Sequence, residues 1–226
     1  MLDVLGDLLA KREPLNANLR PYIIQNGPLG PMIQHPLVQE ISYSEAMNAL
    51  INKRYETKLE ALNQCEAAKK WTAAIWFHER PWRMDALLRY QKQMTDTEYW
   101  EAVGAVWTDS ENIWQNSDSW RTLWESRRPE KRHAMDTEER HRLALMPDVI
   151  TVYRGVQGLG ITKARRRIGL SWTTDRAQAE KFSKRWDYQP QRILEGTVKK
   201  TEVHAYFIGR NESEIVSSKV KISTSN

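Results

Sequence analysis

Four polar side chains, Arg154, Ser171, Glu212 and Glu214, stand in short apolar, β-prone runs where their types and spacing could do chemistry. Arg154 follows Val152–Tyr153 and precedes Gly155. Ser171 lies within Gly169–Leu170–Ser171–Trp172–Thr173–Thr174, and the two glutamates flank Ser213 ahead of Ile215–Val216. A guanidinium at a strand end can hold a phosphate or pyrophosphate through bidentate, charge-assisted hydrogen bonds without losing its charge. A carboxylate beside a sugar stabilises the positive charge that develops as a glycosidic bond breaks. A serine hydroxyl between apolar neighbours can fix that carboxylate's rotamer, and Thr173 is the next polar member of the same strand. Strand alternation puts Glu212 and Glu214 on one side, so that two carboxylates face one cleft. Taken singly, each residue reads as readily as a surface arginine, a capping serine or a charged turn. The informative fact is the order Arg, Ser, Glu in this context.

The elements that must position these groups follow a change of period at Pro147. After it, Val149–Arg154 reads as a strand, 155–167 as a Gly- and Arg-rich loop, and Leu170–Thr173 as a second strand. Thr174 or Asp175 caps a helix carrying Ala179, Phe182 and Trp186. Further strands are expected around Arg192–Val198, Val203–Ile208 and Ile215–Ile222. Before Pro147 the period is helical. Ser42 with Glu45, Thr95 with Glu98, and Asp136 with Glu139 have capping-box spacing, and Ser117 or Asp118 can cap a further helix. Eight of the ten tryptophans lie between Trp71 and Trp124. Tyr99, Val103, Val106 and Trp107 share a helical face, so most of these aromatics read as core rather than as a stacking platform. Pro14–Pro36 holds five prolines and two glycines. That composition predicts an extended segment laid over the core, without helix or central strand.

The fold class is therefore α+β. A mainly helical region spans 1–146, with the extended Pro/Gly-rich segment at 14–36, and a second region with the strands spans 147–226. At 226 residues and 40% hydrophobic, the chain can bury a sizeable core. No run approaches the ~20 apolar residues of a membrane helix, and the reading is cytoplasmic, with no membrane partner. The single Cys65 permits no internal disulfide and no cysteine-rich zinc site. A net charge of +5 and a pI near 9.3 favour polyanionic partners without naming one. Gly155, Gly158 and Gly160 have the wrong spacing for a dinucleotide-binding βαβ turn, and Gly-Lys-Ser/Thr is missing. His78–Glu79 lacks the second histidine of a zinc protease. No metal site is supported.

Tyr153–Arg154–Gly155, then Gly169 to Asp175 before a helix, then Glu212–Ser213–Glu214 before an apolar strand resemble, in order, context and spacing, the Arg-Ser-Glu class of mono-ADP-ribosyltransferases. The resemblance runs from Thr95 to Ser218 and is strongest after Pro147. It implies an ADP-ribosyltransferase-like split β-sheet over 147–226, with NAD as the ADP-ribose donor and no metal. Arg154, Gly155, Ser171 and Thr173 would bind NAD, and Glu214 would be catalytic. Ser171 would support the site rather than attack, and Glu212 would orient or deprotonate the accepting nitrogen. The core after Pro147 is short for such an enzyme. Part of the NAD pocket must then come from the helical region, with Trp107–Trp114 and the helix ending at Met146 the nearest candidates.

The acceptor is left open between a nucleic-acid base, in RNA or DNA, and a protein arginine. Arg165, Arg166 and Arg167, in a basic loop between two of the strands, are candidate acceptor contacts. Small members of the class act as intracellular toxins, phage-defence effectors or phage proteins, some held by an antitoxin or inhibitor partner. The alternative is a non-catalytic basic protein that binds nucleic acid through a degenerate transferase fold. Two acidic groups in a cleft favour the enzyme, because they would repel phosphates in a simple binder.

Overall fold

The computed structural model describes residues 6, 10–111, 113–158, 169–186, 188–209 and 212–223. It is a mixed α+β chain whose contacts divide it into two compact units, Met1–Met94 and Thr95–Asn226.

In the first unit, β1 (Ile23–Gly27), β2 (Gly30–His35) and β3 (Val38–Glu40) form an antiparallel sheet in sequence order. The Pro/Gly-rich segment thus holds strands, one of them central, where only extended coil was expected. Pro31 is tolerated because the β1–β2 register is irregular between Ile24 and Gly27, so no ladder partner requires its missing N–H. Three helices follow, α1 (Asn48–Ala67), α2 (Trp71–Phe77) and α3 (Arg83–Tyr90). Asn52, one turn after Asn48, ties down the incoming chain. Its amide oxygen accepts from Asn16 N at 2.8 Å, and its amide nitrogen donates to the Pro14 carbonyl at 3.0 Å. The Ser42–Glu45 capping box does not form. Glu45–Met47 makes a 3-10 turn first, and its N-cap Ser44 makes no side-chain cap.

The second unit begins with α4 (Asp96–Asp109), α5 (Ser117–Trp124) and α6 (Thr137–Leu145). Both expected capping boxes here are present. Thr95 Oγ1 accepts from Glu98 N at 3.3 Å, and Asp136 accepts from Glu139 N at 2.8 Å, each glutamate returning to its cap's N–H. α5 starts at Ser117 itself, behind Asn116, which makes no side-chain cap. The helices lead into β4 (Val149–Gln157), β5 (Ser171–Thr173), α7 (Arg176–Ser183), β6 (Gln191–Lys199), β7 (Ala205–Phe207), β8 (Glu214–Val216) and β9 (Lys221–Ile222). The strands form one antiparallel sheet in the order β7-β8-β5-β4-β6-β9. The run expected as one strand over Ile215–Ile222 is two. β8 pairs with β5 and β7, whereas β9 pairs with β6, and between them the Ser217 hydroxyl donates to the Glu202 carbonyl at 2.8 Å.

The division falls at Met94, not near Pro147, and the tryptophans supply the reason. Trp100, Trp107, Trp120 and Trp124 are fully buried. Trp107 meets Trp120 and Trp124 edge to face at 5.0 and 5.6 Å, and Trp124 in turn lies against Phe207 of β7 and His204. α4 and α5 therefore share one core with the sheet, and the change of sequence period at Pro147 crosses that core.

His204 makes this junction sensitive to pH. Its Nδ1 lies 3.3 Å from Lys131 Nζ, which can only donate, so Nδ1 accepts and Nε2 carries the proton toward Ser218 Oγ at 3.3 Å. Burial first, then the Lys131 charge, with smaller contributions from Arg121 and Lys219 against that of Glu125, push its pKa down to about 4. Unfolded, the imidazole takes a proton near its ordinary 6.5, while the folded protein refuses one until about 4. The unfolded state thus binds more protons across that window, and stability falls as pH falls through it. The expected result is a melting temperature that drops more steeply from pH 6.5 to 4 in the wild type than in His204→Gln. Parallel melting curves would contradict this role.

Candidate functional site

Arg154, Ser171 and Glu214 stand on three adjacent strands, β4, β5 and β8. β5 and β8 are paired along their length, with Thr173 opposite Glu214, whereas β4 and β5 share the single pair Tyr153–Thr173. Beyond that pair the two strands part, and a cleft of about 220 Å³ opens at the gap. Arg154, Gly155, Ser171, Thr173, Glu212 and Glu214 all line it, together with Tyr153, Trp172 and Phe182. Six residues chosen from the sequence, spread over some sixty positions, therefore border one cavity.

Glu214 is 5% exposed. One carboxylate oxygen accepts a short hydrogen bond from the Ser171 hydroxyl, and the other accepts from the Trp107 indole N–H at 3.2 Å. Two donors on opposite oxygens fix the carboxylate's rotamer. Sequence reasoning took Trp107 as core and missed this bond. The available signal was that a buried indole N–H needs an acceptor.

Arg154 is half-buried as a residue, but its guanidinium lies deep. Burial lowers its pKa, and the nearby Glu214 charge opposes that shift in part. Nη1 is enclosed and makes no hydrogen bond among the described residues. The guanidinium packs onto Gly169, where a Cβ would overlap it. A buried donor of this kind is costly unless something completes it. On its other side Arg154 borders a second cavity of about 60 Å³, lined by Trp114, Ser117 and Arg121. The segment Trp107–Trp114 thus contributes to the site from both ends.

The remaining residues are placed differently from expectation. Ser213 has φ of 44° and β8 begins only at Glu214, so Glu212 precedes the strand. Both glutamates border the cleft, but a left-handed turn, not strand alternation, brings them there. Thr173 Oγ1 donates to the Glu212 carbonyl at 2.6 Å and accepts from Asp175 N at 3.0 Å. It braces the carboxylate turn and the start of α7, whose N-cap Asp175 accepts from Ala177 N at 2.8 Å. Gly155 serves spacing, since a Cβ there would overlap the α7 backbone at Ala179 and Ser183. The candidate acceptor contacts Arg165, Arg166 and Arg167 lie outside the described residues.

Among the described residues no group of three or more His, Cys, Asp or Glu side chains could hold a metal ion, and no helix is long and apolar enough to cross a membrane. The chain matches no protein-family model, and no curated protein and no solved structure is detectably similar to it.

Proposed function

We propose that the cleft binds NAD and that the protein transfers ADP-ribose from it to an intracellular macromolecule. The observation that carries this reading is the convergence of Arg154, Ser171 and Glu214 on one cleft, with the Glu214 carboxylate held on both oxygens. Arg154 takes the pyrophosphate through charge-assisted hydrogen bonds. A cleft of about 220 Å³ suits the nicotinamide-ribose end, and the second cavity lets the dinucleotide continue past Arg154. Glu214 faces the ribose as the C1′–N bond breaks and its electron pair leaves with neutral nicotinamide. The acceptor nitrogen forms the new bond to C1′, and Glu212 takes the proton it loses. A non-catalytic nucleic-acid binder would have no use for the fixed, buried carboxylate of Glu214.

Incubating the protein with labelled NAD and a cell lysate, split between protease and RNase treatments, tests transfer and identifies the acceptor class together. No label on any macromolecule, with NAD left intact, would overturn the reading. The two carboxylates are also separable. Glu212→Gln is expected to depress acceptor labelling by about 100-fold while NAD hydrolysis falls only a few-fold, because water can still capture the activated ribose. Equal loss of both activities would refute the division of labour.

A further inference from the structure

Between Arg176 and Arg192 the chain carries five basic residues against two acidic ones. Lys181, Lys184, Arg185 and Arg192 are exposed there. Two aromatic side chains stand among them, Trp186 at 62% and Tyr188 at 67% exposure. Large aromatics left in water this way mark interaction surfaces, and the second unit's other tryptophans show the contrast, four of them being fully buried. The Arg185 guanidinium lies 5.6 Å from the Trp186 ring centroid. Lys184 is paired with Glu180, but Lys181, Arg185 and Arg192 form no ion pair among the described residues.

This surface continues from the cleft. Phe182 of α7 lines the cleft, and its carbonyl accepts from the Gln157 side chain at 3.0 Å. Tyr188 lies beside Gly158, immediately beyond β4. A ligand laid across Trp186 and Tyr188 would therefore run along the end of β4 toward the wall formed by Phe182.

We infer that Trp186, Tyr188 and the cations around them form a docking surface for single-stranded nucleic acid, which delivers a base to the cleft. The inference rests on the transferase reading only for what the docked base is for. Two exposed aromatic faces amid cations that are mostly unpaired among the described residues meet the needs of such a strand, with bases stacking on the rings and phosphates on the charges. A protein segment presenting an arginine would meet the same positive field and be repelled.

The test is binding without NAD, so that it stands apart from catalysis. Fluorescein-labelled single-stranded RNA and DNA 12-mers and the matching duplex are titrated with the full chain over a salt series. The expected result is tighter binding of single strands than of duplex, with a preference between RNA and DNA naming the natural strand. Trp186→Ala with Tyr188→Ala should weaken binding by about 10-fold or more at every salt concentration. Changing Lys181, Arg185 and Arg192 to alanine should flatten the slope of log K against log salt by about 2. All five side chains are exposed, so melting temperatures are expected to stay near wild type, and only folded variants enter the comparison. Equal affinity of the aromatic variant and wild type, or duplex bound as tightly as single strands, would overturn the inference. Strand binding by a wild-type protein that consumes no NAD would instead refute the transferase reading and leave this surface standing.

Discussion

Glu214→Gln is expected to reduce nicotinamide release and acceptor labelling together by about 100-fold or more, with little change in melting temperature. The loss follows from removing the charge that faces the developing positive ribose, on the order of 3 kcal/mol of transition-state stabilisation. Stability is expected to hold because the site can re-pair around an amide. The Trp107 indole, 3.2 Å from one carboxylate oxygen, would donate to the glutamine carbonyl. Ser171, now a donor to the other oxygen, would turn its hydroxyl to accept from the amide nitrogen. Both contacts to the side chain survive as hydrogen bonds while the charge is lost. Steady-state rates beside a thermal melt check both halves. Near wild-type turnover in a folded variant would remove Glu214 from the chemistry.

Arg154→Lys is expected to raise the KM for NAD by about 10- to 100-fold, the equivalent of losing one charge-assisted hydrogen bond, with kcat falling much less. The guanidinium packs so closely against Gly169 that a Cβ there would overlap it. A lysine ammonium cannot reproduce the shape of that group. Buried as deeply, it would also lose its proton more readily than arginine, weakening its hold on a pyrophosphate. Initial rates over a range of NAD concentrations separate the two constants. An unchanged KM would contradict the role given to Arg154.

Local chemistry was legible in the sequence at two of the three capping-box spacings. Thr95 with Glu98 and Asp136 with Glu139 cap helices as their spacing implies, because a capping box is closed by residues three apart. The same spacing failed at Ser42 and Glu45, where a 3-10 turn at Glu45–Met47 comes before the helix. Strand pairing was less readable, since β2 becomes a central strand only through its partners β1 and β3. The tryptophans concealed the unit boundary. Their period announces helices but does not say that Trp124 will lie against His204 and Phe207.

At the candidate site, residue types and order brought out Arg154, Ser171, Glu212 and Glu214, because each lies beside a recognisable apolar run. The turn at Ser213 was not legible, since a serine with positive φ is rare enough that alternation was the better expectation. Trp107 was legible as core and is core. Its second task, holding Glu214 from a position 107 residues earlier in the chain, depends on long-range packing that periodicity does not encode.

The most direct test of the proposed activity is nicotinamide released from NAD by the purified wild-type protein, followed over time with a lysate as acceptor source. The account predicts release that scales with protein concentration, matched mole for mole by ADP-ribose appearing on acceptor or free in solution. NAD that remains intact throughout, in the presence of folded protein and lysate, would contradict it.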